Sequence, residues 1–405
     1  MNARRAGTQP AFTLDQLLAA KEIVVFCGSG GVGKTSVAAA AALGATMHLG
    51  GKVLVLTIDP ARRLATALGL EGLGNRAHRV PPEVLKAAGI EARGELWAAM
   101  LDTKQSWDDL VLMHAPDEVT AYRILENRLY HDLTARFVQS HDYIAMERLF
   151  EIHASGEYDL IVIDTPPTRN AIDFLDAPAR MADFFGSRLL RWLTLPYRVG
   201  GKRGSRVFNV ASRPFYQMAD RILGSQFLQD IAEFFLNFQS MYSGFVTRAK
   251  AVERLLHDKR TTFAVVTTLE AAPLYEAERF CAALVERDFH LGALVLNKTL
   301  PDSLRDPDGA AAATACIDEA GPLADALVET GDPALADRDR TARVLRTVGE
   351  SYRNFSVVAM REAELRAELA RVPDVVASVP TLADDVSDVD GLASISRYLF
   401  HGEAT

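Results

Sequence analysis

The sequence predicts an α/β fold: a doubly wound, mostly parallel sheet with helices on both faces and an inserted α-helical subdomain. Three observations carry that reading. Short, nearly all-apolar runs recur at 23–27, 53–58, 96–101, 160–163, 262–267, 293–296 and 375–379, the pattern of strands buried on both faces. Helical stretches such as 38–49 and 274–287 stand between several of them, as crossovers between parallel strands require. Two long interruptions, from about 102 to 156 and from about 171 to 258, carry helical spacing and no strand. The expected organisation is a core with its first part at 20–101 and a helical insertion at 102–156. A core strand and its switch turn follow at 157–170, then a second helical insertion at 171–258 and the last part of the core at 259–400.

The first strand, Ile23-Val24-Val25-Phe26-Cys27, runs straight into Gly28-Ser29-Gly30-Gly31-Val32-Gly33-Lys34-Thr35-Ser36, and an alanine-rich helix former follows from Val37. Strand, glycine loop and helix form the context that the phosphate-loop pattern G-x-x-x-x-G-K-[ST] needs. Glycines let backbone N–H groups close around phosphate oxygens with no Cβ in the way. The helix N-terminus adds partial positive charge. Lys34 is expected to reach the β- and γ-phosphates, and the Thr35 hydroxyl to ligate Mg²⁺. Residues 28–36 are therefore the candidate phosphate-binding set. A glycine turn without a ligand would leave Lys34 without a purpose.

Two acidic strand ends complete the constellation. Leu160-Ile161-Val162-Ile163 ends in Asp164, the carboxylate expected to support Mg²⁺. The following Thr165-Pro166-Pro167-Thr168 forms a rigid turn suited to sensing a γ-phosphate. The 53–58 run ends in Asp59-Pro60. A carboxylate at the carboxyl edge of a parallel strand points into the same crevice, so Asp59 is expected to hold and polarise the attacking water and to lie in the metal site with Thr35 and Asp164. A structural cap for Asp164 and a helix N-cap for Asp59 are the plainer alternatives. Both carboxylates together, beside Lys34, favour hydrolysis.

These segments resemble the ArsA-type anion-transporting ATPases, a family that includes arsenite-pump ATPases and the ATPase that targets tail-anchored membrane proteins. The resemblance rests on the run from Gly28 to Thr35, Thr57-Ile58-Asp59-Pro60-Ala61 and Asp164-Thr165-Pro166-Pro167-Thr168. The late stretches 267–279, Leu296-Asn297-Lys298 and 379–386 extend it over about residues 20–395. It implies ATP and Mg²⁺ as cofactors, ATP hydrolysis in the cytoplasm, and a dimer switched by nucleotide. It also implies that the Asn297 amide and the loop at Pro380 hold adenine.

Family members carry lysine after the first glycine of the loop, where it reaches the partner's nucleotide. This chain has Ser29 there. A cationic finger contributes roughly three to five orders of magnitude in rate. The substitution therefore implies a slow homodimer, a substitute cation such as Arg62, Arg63 or Arg169, or a heterodimer with a related subunit that supplies the lysine. A scaffold subunit that binds ATP and barely hydrolyses it is the alternative. The paired-cysteine zinc motif of the tail-anchored-protein ATPase and the cysteine trio of the arsenite pumps are both missing.

The remaining features bound the partners. The chain has 405 residues, 49% hydrophobic and 24% charged, with a net charge of −9. That composition suits a globular protein and disfavours broad binding to nucleic acid, so no nucleic-acid partner is expected. No run of eighteen apolar residues suggests a membrane span, and the polar stretch 1–13 reads as a loose tail. Cys27, Cys281 and Cys316 form no C-x-x-C pair, and Cys27 is expected to be a packing residue. Residues 228–256 carry a long apolar stripe at helical spacing. It is either the core of a helical subdomain or a surface for an apolar client or membrane-associated partner. The Arg- and Gly-rich stretch 195–214 reads as a solvated loop or a docking site for an acidic partner. Residues 301–337 are expected to form a surface excursion with a short helix.

Overall fold

The computed structural model describes residues 13–58, 63–136, 138–165, 225–369 and 373–401, together with 176, 177, 179, 180 and 183. Asp59, Pro60, Ala61, Arg62, Arg169, the turn 166–168 and the stretch 195–214 lie outside the described residues, as does the side chain of Arg63.

Eight strands form one sheet: β1 (Ile23–Cys27), β2 (Lys52–Thr57), β3 (His78–Arg79), β4 (Glu95–Met100), β5 (Leu160–Asp164), β6 (Thr261–Thr267), β7 (Leu291–Thr299) and β8 (Val375–Pro380). Their order is β3-β4-β2-β5-β1-β6-β7-β8. Every pairing is parallel except that of β3 with β4. The seven apolar runs are all strands. The two-residue β3 went unpredicted because both of its residues are exposed and polar, so it has no burial signal to read.

β1 lies at the centre, between β5 and β6, and its alternate residues face two separate cores. Val24 and Phe26 join Val53 and Val55 beneath α2 (Lys34–His48) and α14 (Val389–His401). Ile23, Val25 and Cys27 join Leu54 and Leu56 on the other face, in a core continuous with the helical insertion and α10 (Ala271–Glu286). Both faces are covered, so the strands carry no polar face.

The insertion holds α5 (Thr103–His114), α6 (Glu118–Leu125), α7 (Arg128–Arg136), α8 (Val138–Ser155) and the 32-residue α9 (Ser225–Leu256). The described members of the apolar stripe, from Phe234 to Leu256, point inward and are buried. Phe238 stacks on Phe245 with ring centroids 5.0 Å apart, and Trp107 and Tyr143 close over them. This burial overturns the reading of the stripe as a client surface: among the described residues its apolar area is already used by its own neighbours. The side chains of Leu228, Ile231 and Tyr242 lie outside the described residues. Inside this core Glu147 of α8 is fully buried, paired with Arg248 of α9 and accepting from the Tyr143 hydroxyl at 2.6 Å.

The segment expected to be an excursion with one short helix is more ordered than that. It holds α11 (Pro307–Asp318) and α12 (Ala320–Val328) and leads into a second 32-residue helix, α13 (Arg338–Leu369). The helices α1 (Leu14–Ala19), α3 (Arg63–Ala67) and α4 (Pro82–Ala87) are short. Among the described residues no helix is long and apolar enough to cross a membrane.

Candidate nucleotide site

The loop between β1 and α2 sits at the carboxyl edge of the sheet's central strand, beside β5 and β6. Crevices at that edge are where open α/β sheets bind ligands. Gly33 is the residue before α2 and has φ 89°, a left-handed conformation that favours glycine. A Cβ on Gly33 would collide with the Asn297 side chain. The turn into the helix thus demands glycine twice, for backbone geometry and for space.

Lys34 opens α2, is 6% exposed, and donates to the Ser29 carbonyl at 2.8 Å. Thr35 donates its hydroxyl to Asp164 Oδ2 at 2.7 Å, across 129 residues of sequence. Asp164 ends β5, is fully buried, and also accepts from Thr57 Oγ1 at 2.9 Å. Its placement follows from the parallel register: β5 is flanked by β1 and β2, with Asp164 level with Phe26 and Thr57. A carboxylate held between two hydroxyls at the mouth of the glycine loop is a hard, all-oxygen donor set. It suits Mg²⁺, which is commonly bound through one or two carboxylates plus substrate phosphates. Among the described residues no three His, Cys, Asp or Glu side chains cluster to hold a metal by themselves.

Residues from the far side of the crevice close on the loop. Asn297, near the end of β7, is buried and donates from Nδ2 to the Val32 carbonyl at 2.8 Å. Lys298 has φ 58° and its ammonium lies 3.3 Å from the Gly31 carbonyl. Pro380 ends β8 level with Thr299, and the next residue, Thr381, donates its N–H to the Thr299 carbonyl at 2.9 Å. Thr165 donates both its N–H and its hydroxyl to the Phe26 carbonyl, which ties the start of the turn after β5 to the strand that carries the loop. Among the described residues the hydroxyls of Ser29, in the loop, and Thr268, just after β6, are buried without hydrogen-bond partners. Gly28, Gly30 and Gly31 complete the loop before Lys34 and Thr35, and Ser36 follows them in the first turn of α2. Burial pushes the Cys27 thiol up to about 12, so Cys27 is an unreactive packing residue.

The structure therefore joins Thr35 to Asp164 beside Lys34 and sets Asn297 against the loop at Val32, while Pro380 lies beside Thr299 at the end of β8. Asp59 lies outside the described residues; β2 ends two residues before it, with Thr57 on Asp164. Sequence reasoning gave Thr57 no role of its own, read Thr165 only as part of the turn suited to sensing a γ-phosphate, and did not weigh Lys298 as a cation beside the loop. Thr57 and Thr165 adjoin the two carboxylates named from the sequence, so position at a strand end was the available signal. Lys298 had none, because its approach depends on a left-handed residue at the end of β7.

The family model for anion-transporting ATPases matches residues 21–317. The chain belongs to this family. ATPase BagA of Mycobacterium tuberculosis (strain ATCC 25618 / H37Rv) is 23% identical over 379 residues, covering 92% of this chain and 90% of that protein. Putative arsenical pump-driving ATPase 1 of Aquifex aeolicus (strain VF5) is 23% identical over 297 residues, covering 70% of this chain and 64% of that protein's length. ATPase GET3 of Komagataella phaffii (strain GS115 / ATCC 20864) is 25% identical over 284 residues, covering 67% and 71% of the two chains. The family match begins two residues before β1 and ends within α11. It includes the phosphate loop, Asp164 and Asn297 and stops short of α13 and β8.

Proposed function

We propose that this chain is a cytoplasmic, Mg²⁺-dependent ATP hydrolase that works as a nucleotide-switched dimer and couples ATP binding to a partner or cargo. The observation that carries the reading is the Thr35–Asp164 hydrogen bond at the mouth of the phosphate loop. Loop amides and Lys34 would hold the phosphates, Lys34 exchanging its bond to the Ser29 carbonyl for phosphate oxygens. Thr35 would ligate Mg²⁺, with Asp164 orienting that hydroxyl. A bound ion would neutralise phosphate charge there. Asp59 would hold the attacking water and take its proton. Asn297, already engaged with Val32 through Nδ2, would meet adenine through its amide oxygen, with the Pro380 loop on the other side of the base. The core segments 20–101, 157–170 and 259–400 would carry this chemistry, and the insertions 102–156 and 171–258 would move with it. A protein client or membrane-associated partner would read that movement.

Ser29 favours a second reading, a subunit that grips ATP and turns it over slowly unless a related subunit supplies the missing lysine. Lys298 is a candidate to replace that charge from within the chain. Calorimetric titration of ATP with Mg²⁺, followed by phosphate-release assays, separates the readings. Lys34→Ala should abolish binding, and Asp59→Asn should keep binding and lose turnover. Ser29→Lys should raise turnover if the homodimer lacks only that charge, by up to about three to five orders of magnitude. Absence of ATP binding by the wild-type chain would refute both readings.

A further inference from the structure

Among the described residues, one long helix carries an apolar face that its neighbours leave exposed. α13 packs one side on α11 and α12, where Thr341, Ala342, Gly349 and Ala359 are buried. A Cβ on Gly349 would come 2.6 Å from the Ala313 carbonyl, so glycine there sets a close helix approach. Three further contacts anchor the helix: Arg338 pairs with Asp325, the Tyr352 hydroxyl donates to the Ser303 carbonyl at 2.9 Å, and Glu362 accepts the Leu300 N–H at 2.9 Å. The face is therefore held by a folded neighbourhood.

Beside that packed side, Val344, Val348, Phe355 and Val358 are 53, 56, 53 and 48% exposed. With Ser351 they recur at intervals of four, three, four and three residues, the seam of a coiled coil. One flank of the seam is already occupied by the packed side. The other carries Arg340, Thr347, Asn354, Arg361 and Glu368 at seven-residue spacing, basic at one end and acidic at the other.

We propose that this seam pairs with the same seam of a second copy of the chain, antiparallel about a two-fold axis near Asn354. In that arrangement Val348 layers on Val358 of the other copy, and Ser351 layers on Phe355. Arg340 meets the opposite Glu368 at both ends of the seam, and the two Asn354 side chains meet at the axis. The contact is isologous and closes as a dimer. Parallel pairing fails on the same residues. It sets Arg340 level with Arg340, and the flank it needs is filled by the chain's own helices. The pairing needs no nucleotide, which distinguishes it from the nucleotide-driven dimer of the proposed function.

The test is sedimentation equilibrium of the full chain at tens of micromolar, free of nucleotide and with EDTA present. The expected result is twice the monomer mass for the wild type and monomer mass for Val348→Glu/Phe355→Glu, with unchanged circular dichroism and melting. Orientation is read by oxidative cross-linking against the wild-type background. Asn354→Cys should form a covalent dimer. Arg340→Cys should not self-couple, but should couple when mixed with Glu368→Cys. A monomeric wild type, an equally dimeric double variant, or efficient self-coupling of Arg340→Cys would overturn the proposal. A wild type that dimerises only with ATP would assign the dimer to the nucleotide face and likewise refute it. Co-purification of a different protein on a monomeric chain would give the seam to that protein instead.

Discussion

α9 and α13 are both 32 residues long, and both carry an apolar stripe at helical spacing, with opposite outcomes. The stripe of α9 is rich in phenylalanine and lies under Trp107, Tyr143 and its own stacked rings. α13 fully buries small residues, with Leu345 partly buried beside them, and leaves Val344, Val348, Phe355 and Val358 exposed. The charged residues divide in the same way. Arg248 of α9 is turned inward onto a carboxylate with no exposure, whereas Arg338 of α13 meets Asp325 in solvent. Apolar periodicity states that a helix has a partner. It does not say whether that partner belongs to the same chain.

The strongest way to break this contrast is to truncate one stripe residue in α9. Phe238 is 3% exposed and stacks on Phe234 and Phe245. Phe238→Ala should cost about 3–5 kcal/mol, the usual range for removing a buried aromatic side chain, read as a lowered urea midpoint. A loss below about 1 kcal/mol would mean that the stripe is not core, and the client-surface reading would return.

A smaller and pH-dependent effect should separate the two helices' charges. Burial outweighs Arg248 and Tyr143 and raises the Glu147 carboxyl above its ordinary range. The folded chain therefore keeps this proton at pH values where the unfolded chain has released it. The resulting stability is full below the ordinary carboxylate range, near 4.3, and is lost as pH rises through the raised folded range. Urea midpoints measured across that window should fall with rising pH in the wild type more steeply than in Glu147→Gln. Parallel slopes would show that Glu147 titrates normally and that the α8–α9 interior is wetter than its burial indicates.

Much of the site was legible in the chain because its chemistry is local to strand ends. Lys34 and Thr35 follow a glycine loop after an apolar run, and Asp164 closes another such run; the parallel register then makes their meeting unavoidable. Asn297 was legible as a residue after a strand. Its bond to Val32 was not, because that depends on how β6 and β7 are staggered across 265 residues of sequence. The helical character of 228–256 was plain, and its burial was not, since the aromatic residues that cover it come from α5 and α8. α13 was missed as an element of its own: its sequence alternates arginine and glutamate with scattered valine, and its buried side consists of small residues whose packing shows only when α11 is beside it.

The smallest expected effect lies on α13 and is the most discriminating. Phe355→Ser removes a large apolar side chain, as Phe238→Ala does, but from a position 53% exposed. Substitutions at exposed positions usually shift stability by no more than about 0.5 kcal/mol. The urea midpoint at submicromolar protein should therefore stay where the wild type has it. At tens of micromolar the wild type should melt higher than it does when dilute, because pairing stabilises the folded chain by mass action, and Phe355→Ser should lose that dependence on concentration. A Phe355→Ser chain that is unstable even when dilute would place Phe355 within the monomer's own core, and the difference between the two helices would vanish.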